Sequence, residues 1–278
     1  MRLAPAITGT LLAGALALGA LPAAAAPAGD LPQVEASELG DASSFLALIN
    51  PTTQLDPENY TPSGLVTVPG TSVQLRPEAS EAVSALVSDA RKAGMDIKVL
   101  SAYRSYDRQA VLFNQYQAKY GTAYAERISA RPGTSEHQLG LAADLGYSNS
   151  YQELKEAFGQ TEAGQWIAQH AVDYGLIVRY PQGEEETTGY KYEPWHVRYI
   201  GKEHAKAMAE SGAATFEDYT ELLKQQAQSE PAEPEEAEPA AGAENKEQDS
   251  EQAGPDAEDL LVLRFLPPYR DWGFGFTE

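Results

Sequence analysis

Two short blocks of the chain, one with His137 and Asp144 and the other with Glu193 and His196, must meet in any fold that uses them together. The whole chain has four histidines, and two of them lie in these blocks. Two neutral imidazoles and one carboxylate can bind zinc and leave a coordination position for water. A second carboxylate, not a ligand, can then take a proton from that water. The blocks therefore predict a metal centre built from two distant parts of the chain.

The spacing inside each block requires the backbone to bend. His137 and Asp144 are seven residues apart, so on one straight strand they would point to opposite faces of the sheet. Gly140 lies between them and permits a turn and a close backbone approach. In the second block, Pro194 separates two residues that are three apart, and we expect it to interrupt a regular strand.

The pattern of the middle of the chain predicts an α+β fold, with a small, mainly antiparallel sheet flanked by helices. Pro77 is typical of a first helical turn and Gly94 of a helix end. Helices and strands do not alternate strictly, and a hairpin-like return is expected at 183–189, which disfavours a doubly wound parallel sheet. We expect helices at 43–49, from 77 to 94, and at 107–120, 163–174, 202–210 and 216–225, and strands at 97–101, 176–180 and 190–199.

Composition divides the chain into five parts. Met1-Arg2, an apolar stretch and an alanine run are typical of a signal peptide, and the apolar stretch is shorter than the ~20 residues of a membrane span. We therefore expect an exported protein, extracellular or associated with the cell envelope, with no stable transmembrane span after cleavage. The absence of cysteine excludes disulfides. The expected parts are a signal peptide at 1–26, an irregular lead-in at 27–70, one catalytic domain at 71–226, an acidic linker at 227–259, and an apolar, aromatic segment at 260–278.

Much of the formal charge of −21 belongs to the predicted linker. Residues 228–259 hold twelve acidic residues and one lysine, which leaves about −10 for the rest of the chain. Such a Pro-, Ala- and Glu-rich stretch is expected to be extended. The acidic balance argues against nucleic acid as a partner. The segment 260–278 can be read as a terminal strand that folds back on the domain or as an anchoring or docking peptide, and the oligomeric state is left open.

Three blocks of this sequence resemble the VanY-type D-alanyl-D-alanine carboxypeptidases, whose wider family includes D-Ala-D-Ala dipeptidases and the hedgehog signalling domain. The blocks are S-A-Y-R-S-Y-D-R-Q from residue 101, S-x-H-x-x-G-x-A-x-D from residue 135 and E-P-W-H from residue 193. The resemblance runs from Leu65 to Ala209. It implies that His137, Asp144 and His196 are the zinc ligands.

The same resemblance implies roles for polar residues around the metal. Glu193 would be the general base, and Arg104 would meet the scissile carbonyl oxygen or the substrate carboxylate. Ser135 and Gln109 would make further polar contacts to the terminal D-Ala. The ordinary alternatives are that Ser135 caps a turn and that Gln109 faces solvent. Trp195 is interpreted as a packing residue or pocket wall, whereas His170 and His204 are expected to be structural.

The function that the resemblance implies is removal of the terminal D-Ala from peptidoglycan stem peptides with Zn²⁺ as cofactor. An LD-carboxypeptidase or a D-Ala-D-Ala dipeptidase could use the same metal centre. A non-catalytic peptidoglycan-binding relative is a further alternative, but it would have no chemical need for Glu193. A non-haem iron oxygenase also uses two histidines and one carboxylate. Its first histidine and acid are commonly two apart, whereas His137 and Asp144 are seven apart.

Overall fold

The described part of this computed structural model comprises residues 31–147 and 154–229, which belong to one compact unit. The predicted signal peptide, the segment 260–278 and nearly all of the predicted acidic linker lie outside these residues. In the described part of the chain, no helix is long and apolar enough to cross a membrane.

Six strands, seven α-helices and four short 3₁₀ turns occur in the described residues. The strands are β1 Val66–Thr67, β2 Gln74–Leu75, β3 Ile97–Ser101, β4 Ala142–Tyr147, β5 Leu176–Tyr180 and β6 Glu193–Tyr199. The helices are α1 Pro77–Lys92, α2 Tyr106–Tyr120, α3 Thr122–Ile128, α4 Glu162–His170, α5 Glu185–Thr188, α6 Lys202–Ser211 and α7 Phe216–Ser229. The 3₁₀ turns are Ala36–Leu39, Glu136–Leu139, Glu156–Gln160 and Ala171–Tyr174.

A four-stranded antiparallel sheet in the order β3-β4-β6-β5 forms the centre of the fold. β1 and β2 pair separately as a small antiparallel ribbon. The predicted α+β class is therefore confirmed. The sequence patterns did not predict β4, because five of its six residues are buried and no apolar–polar alternation marks it as a strand. This missed strand is central in the sheet and carries Asp144.

The lead-in packs into the core, so the compact fold begins well before Thr71. Leu39 and Leu46 pack with residues of α6 and α7, while Ile49, Leu55 and Val68 join the main core against the sheet and α1. Their apolar side chains are spaced irregularly, which hid this contribution in the sequence.

The helix predicted at 43–49 is wrong, since this segment forms turns. The Asp41 carboxylate accepts from the backbone N–H of Ser43, and such short polar side chains compete with helical hydrogen bonding. The carbonyls of Phe45 and Ala47 accept hydrogen bonds from the buried Arg198 guanidinium at 2.9 and 3.0 Å. Both carbonyls are thus committed to a tertiary contact.

Most other predicted elements are present with shifted ends. The helix predicted at 163–174 is α4 followed by the 3₁₀ turn Ala171–Tyr174, and the strand predicted at 190–199 begins at Glu193. The return between β5 and β6 is hairpin-like, as predicted, but contains the short helix α5. α2 begins where Ser105 caps it, with the Ser105 hydroxyl accepting from the backbone N–H of Arg108 at 3.3 Å.

Gly140 turns the backbone between the first histidine block and β4. Its φ of +67° lies in the left-handed region, and a Cβ there would lie 2.9 Å from Cδ2 of Leu65. We expect Gly140→Ala to lower the free energy of unfolding by about 1–2 kcal/mol, because left-handed backbone is unfavourable for other L-residues. Urea unfolding measures the change. Gly40→Ala is the matched control, since Gly40 has φ −108° and an open surrounding; equal losses in both variants would contradict the prediction.

Candidate metal centre and active site

A backbone carbonyl orients the His137 side chain. His137 lies on the 3₁₀ turn Glu136–Leu139, and its Nδ1 lies 2.7 Å from the carbonyl oxygen of Ala102. A carbonyl only accepts, so Nδ1 carries the proton and Nε2 offers its lone pair to the centre. Burial lowers the pKa of His137, although Asp144 opposes this shift. The neutral ring that a metal ligand requires is therefore favoured.

Asp144 and His196 are direct cross-strand partners on β4 and β6. One Asp144 oxygen lies 3.3 Å from Nε2 of His137, and the other lies 3.1 Å from Nδ1 of His196. All three side chains are buried, and one ligand-type atom from each lies within 4.8 Å of the others. The structure thus brings together the three residues that the sequence predicted as zinc ligands.

The charges of Asp144 and His196 depend on contacts with neighbouring side chains. Burial disfavours the carboxylate of Asp144, but His137 and His196 hold its pKa well below the usual range. Burial also opposes a charge on His196, yet the Asp144 and Glu136 carboxylates raise its pKa to about 9. His196 without metal is therefore protonated at neutral pH. Binding of a metal to the His196 ring must therefore release a proton from it.

Glu193 lies at the start of β6, beside the ligand group. Its Oε2 is 3.8 Å from Nδ1 of His196, and burial raises its pKa to about 7. Pro194 does not interrupt the strand, contrary to the prediction. Instead, the pairing of β5 with β6 shifts register between Val178 and Tyr180, so β6 bulges there. Such a bulge re-aims side chains, and it brings Glu193 and His196 to the same centre.

Arg104 lines the cavity, and two neighbouring side chains hold its guanidinium in place. Its guanidinium donates to Oε1 of Gln109 at 2.9 Å and to Oγ of Ser101 at 3.1 Å. Gln109 is fully buried and donates in turn to the carbonyl of Ala130 at 2.7 Å and to Oγ of Ser129. Neither predicted place for Gln109, at the substrate or facing solvent, agrees with this structure. Gln109 instead holds Arg104.

A cavity of about 600 Å³ opens onto the ligand group. Ser135 is buried and lines it, and no side-chain hydrogen bond from Ser135 caps the following turn. Its contact with substrate stays a prediction. Much of the wall is aromatic, and Trp195 belongs to this wall. The aromatic lining residues are Tyr116, Tyr124, Tyr180, Tyr190, Tyr192 and Trp195.

The other two histidines have structural surroundings. Nδ1 of His204 lies 2.9 Å from the hydroxyl of Tyr219, which joins α6 to α7. His170 packs against the Trp166 ring at a centroid distance of 4.4 Å, and its Nδ1 lies 3.5 Å from Asp173. Neither histidine lines the cavity.

Sequence reasoning missed a buried ionic network behind His196. Oε1 of Glu136 accepts from Nε of Arg179 at 2.7 Å and from Arg198 at 2.8 Å. Arg179 also makes a two-pronged pair with Glu217 of α7 at 2.7 and 2.8 Å. Burial alone would raise the pKa of Glu136, but the two arginines hold it well below the usual range. The available signal was Arg179 inside the otherwise apolar strand β5, with Arg198 as a second buried arginine in β6.

The donor set fits zinc. Imidazole nitrogen and carboxylate oxygen are normal zinc ligands, and three protein ligands with one open position are typical of catalytic rather than structural sites. Because Nδ1 of His137 contacts the carbonyl oxygen of Ala102, Nε2 of His137 is available to bind a metal. Glu193 approaches the group without completing it. The arrangement can therefore bind a metal and move a proton beside it.

Known proteins are similar to this chain in sequence and in fold. The VanY family, D-alanyl-D-alanine carboxypeptidase, matches residues 72–202. The bifunctional D-Ala-D-Ala dipeptidase and D-Ala-D-Ala carboxypeptidase VanXYC of Enterococcus gallinarum is 35% identical over 186 residues, 65% of this chain and 95% of the relative. The LdcB LD-carboxypeptidase structure has a TM-score of 0.59 and 41% identity, covering 65% of this chain and 87% of its own.

A zinc-containing structure is also similar. A variant of the vancomycin resistance D,D-pentapeptidase VanY, from a VanB-type resistance cassette and in complex with Zn(II), has a TM-score of 0.54 and 29% identity, covering 64% of this chain and 99% of its own. Together with the buried ligand group, these likenesses define a zinc metallopeptidase. The chain belongs to the VanY family of D-alanyl-D-alanine carboxypeptidases. The predictions of family, enzyme class and metal are confirmed.

Proposed function

We propose that this protein removes the terminal D-Ala from peptidoglycan stem peptides in a zinc-dependent hydrolysis. The observation that carries the proposal is the buried group of His137, Asp144 and His196, with Glu193 beside it, at the base of a cavity. When bound there, zinc supplies Lewis-acid polarisation and activates water near neutral pH. The family membership supports the same reaction.

Glu193, Arg104 and the aromatic wall of the cavity have different roles in the cleavage of one peptide bond. Glu193 accepts the proton of the attacking water at a carboxylate oxygen and delivers it to the leaving amine of D-Ala. Arg104 is held by Gln109 and donates hydrogen bonds to the carbonyl oxygen that gains charge, or to the terminal carboxylate of the substrate. The aromatic wall limits access of bulk water and thereby strengthens these charge interactions.

An LD-carboxypeptidase is the second candidate, because the LdcB LD-carboxypeptidase has a similar fold and sequence. The two activities differ in the residue that precedes the terminal D-Ala. The same metal centre and the same proton transfer by Glu193 would serve both reactions. The stem peptide that is cut therefore decides between them.

Defined stem peptides test the proposed function directly. With zinc present, we expect the protein to release one alanine from a pentapeptide ending in D-Ala-D-Ala, as measured by mass spectrometry. A chelator should stop the release, and added zinc should restore it, because the proposed activation of water requires zinc at the ligand group. Release from the tetrapeptide alone would favour the LD-carboxypeptidase. Release from neither peptide would refute both candidates.

We also infer that the protein acts outside the cytoplasm. The inference comes from residues 1–26, whose basic start, apolar stretch and alanine run are typical of a secretory signal. Cell fractionation with mass spectrometry of the mature N-terminus tests this inference, and a cytoplasmic protein that retains residues 1–26 would contradict it.

A further inference from the structure

Glu136 is adjacent in sequence to one predicted ligand but faces the other. Its Oε2 lies 3.5 Å from Nε2 of His196, which is long for a hydrogen bond. These two atoms are the only buried side-chain polar atoms of residues 31–147 and 154–229 without a hydrogen-bond partner. On the other side of the ring, Nδ1 of His196 faces Asp144 at 3.1 Å. The imidazole of His196 thus lies between the predicted zinc ligand Asp144 and the buried carboxylate of Glu136.

The second oxygen of Glu136 is already occupied. Oε1 accepts from Arg179 and Arg198, and both arginines are fully buried. Arg179 also pairs with Glu217, so two acids and two arginines balance in charge. Balanced and hydrogen-bonded charges are tolerated inside a protein, whereas an unpaired one is costly. The network therefore holds Glu136 in place, with one oxygen directed at His196.

We propose that Glu136 is a positioning residue: it accepts the Nε2 proton of His196 and so keeps Nδ1 unprotonated and directed at the zinc. Histidine ligands commonly donate their second ring N–H to a carboxylate, which fixes the tautomer and the ring orientation. The carbonyl of Ala102 has the same effect on His137, whose Nδ1 it contacts at 2.7 Å. This inference rests on the metal centre of the proposed function.

The need for a carboxylate follows from the partners on both sides of Glu136. Two arginine donors face one oxygen and an imidazole N–H faces the other, so both oxygens must accept. A glutamine has only one oxygen, and the two arginines would bind it. Its NH₂ would then face Nε2 and favour the tautomer with the proton on Nδ1. That tautomer cannot offer Nδ1 to a metal.

Zinc binding by Glu136→Gln tests the proposal without relying on hydrolysis. We expect the zinc dissociation constant, measured by competition with a chelator, to rise about 10–100-fold. Glu217→Gln is the matched control, because it removes an acid of the same network and leaves the contact between Glu136 and His196 in place. We expect Glu217→Gln to lower thermal stability and to leave zinc affinity unchanged.

Nitrogen NMR of the zinc-loaded wild-type protein gives a second readout that does not depend on whether a variant folds. The expected spectrum shows His196 protonated at Nε2 and bound to metal through Nδ1. Coordination through Nε2 would overturn the inference, as would unchanged zinc affinity in Glu136→Gln or an equal loss in Glu217→Gln. If the expected spectrum is found but no stem peptide is cut, the proposed function fails and this inference stands.

Discussion

Replacing Glu193 by glutamine is expected to lower the rate of D-alanine release by about 10²- to 10⁴-fold, the usual range for loss of a general acid–base residue. The amide keeps the shape of the side chain but cannot accept the proton of the attacking water. Zinc should remain bound, because Glu193 lies 3.8 Å from His196 and is not a member of the ligand group. Steady-state kinetics on the pentapeptide, with metal analysis of the same sample, measures both effects.

The matched control for this variant is Glu186→Gln, which changes an exposed acid on α5 outside the cavity. Its rate should equal that of the wild-type protein. A Glu193→Gln variant that retained full activity with zinc bound would exclude Glu193 as the base.

The dependence of activity on pH should also reflect the role of Glu193 as the base. Burial raises the pKa of Glu193 to about 7 in the protein without metal. A cation at the neighbouring ligands favours the ionised carboxylate and so lowers this pKa. Activity should therefore fall as the solution is acidified through a limb centred below pH 7, because protonated Glu193 cannot act as a base. Rate measurements from pH 5 to pH 8 should show this limb in the wild-type protein and lose it in Glu193→Gln.

The meeting of the two blocks could be predicted because it depends on residue types and short-range geometry. The separation of seven positions between His137 and Asp144 requires a turn, and the left-handed Gly140 provides it. The sequence of the second block did not predict that β6 would bulge there. Pro194 signals an irregularity, but the register of β5 against β6 decides whether the strand breaks or bulges.

Other parts of the site depend on contacts between distant residues, which leave no local pattern. Glu136 and Arg198 are 62 residues apart, and their contact with each other is invisible until the sheet is assembled. The lead-in likewise contributes buried residues such as Ile49 through tertiary packing alone. Gln109 was predicted from a motif that indicates importance, but a motif does not distinguish contact with substrate from support of Arg104.

Replacing Arg104 by alanine is expected to lower kcat/KM by about 10²- to 10³-fold, the effect of removing one preorganised donor from a developing oxyanion. Its guanidinium is held by Gln109 and Ser101, so it is directed into the cavity before substrate arrives. If Arg104 binds the scissile carbonyl oxygen, the loss falls on kcat. If it binds the terminal carboxylate, the loss falls on KM. Arg104→Lys should restore only part of either loss, because a lysine lacks the planar fork.

Two further variants separate the role of Arg104 from a general change of charge or fold. Arg108→Ala removes an exposed arginine of α2 outside the cavity and should leave kcat/KM unchanged. Gln109→Ala should cause a smaller loss than Arg104→Ala, because it frees the guanidinium without removing it. If Gln109 acts only through Arg104, the double variant should be no slower than Arg104→Ala alone. Additive losses in the double variant would instead mean that Gln109 contributes independently of Arg104, which its burial away from the cavity argues against.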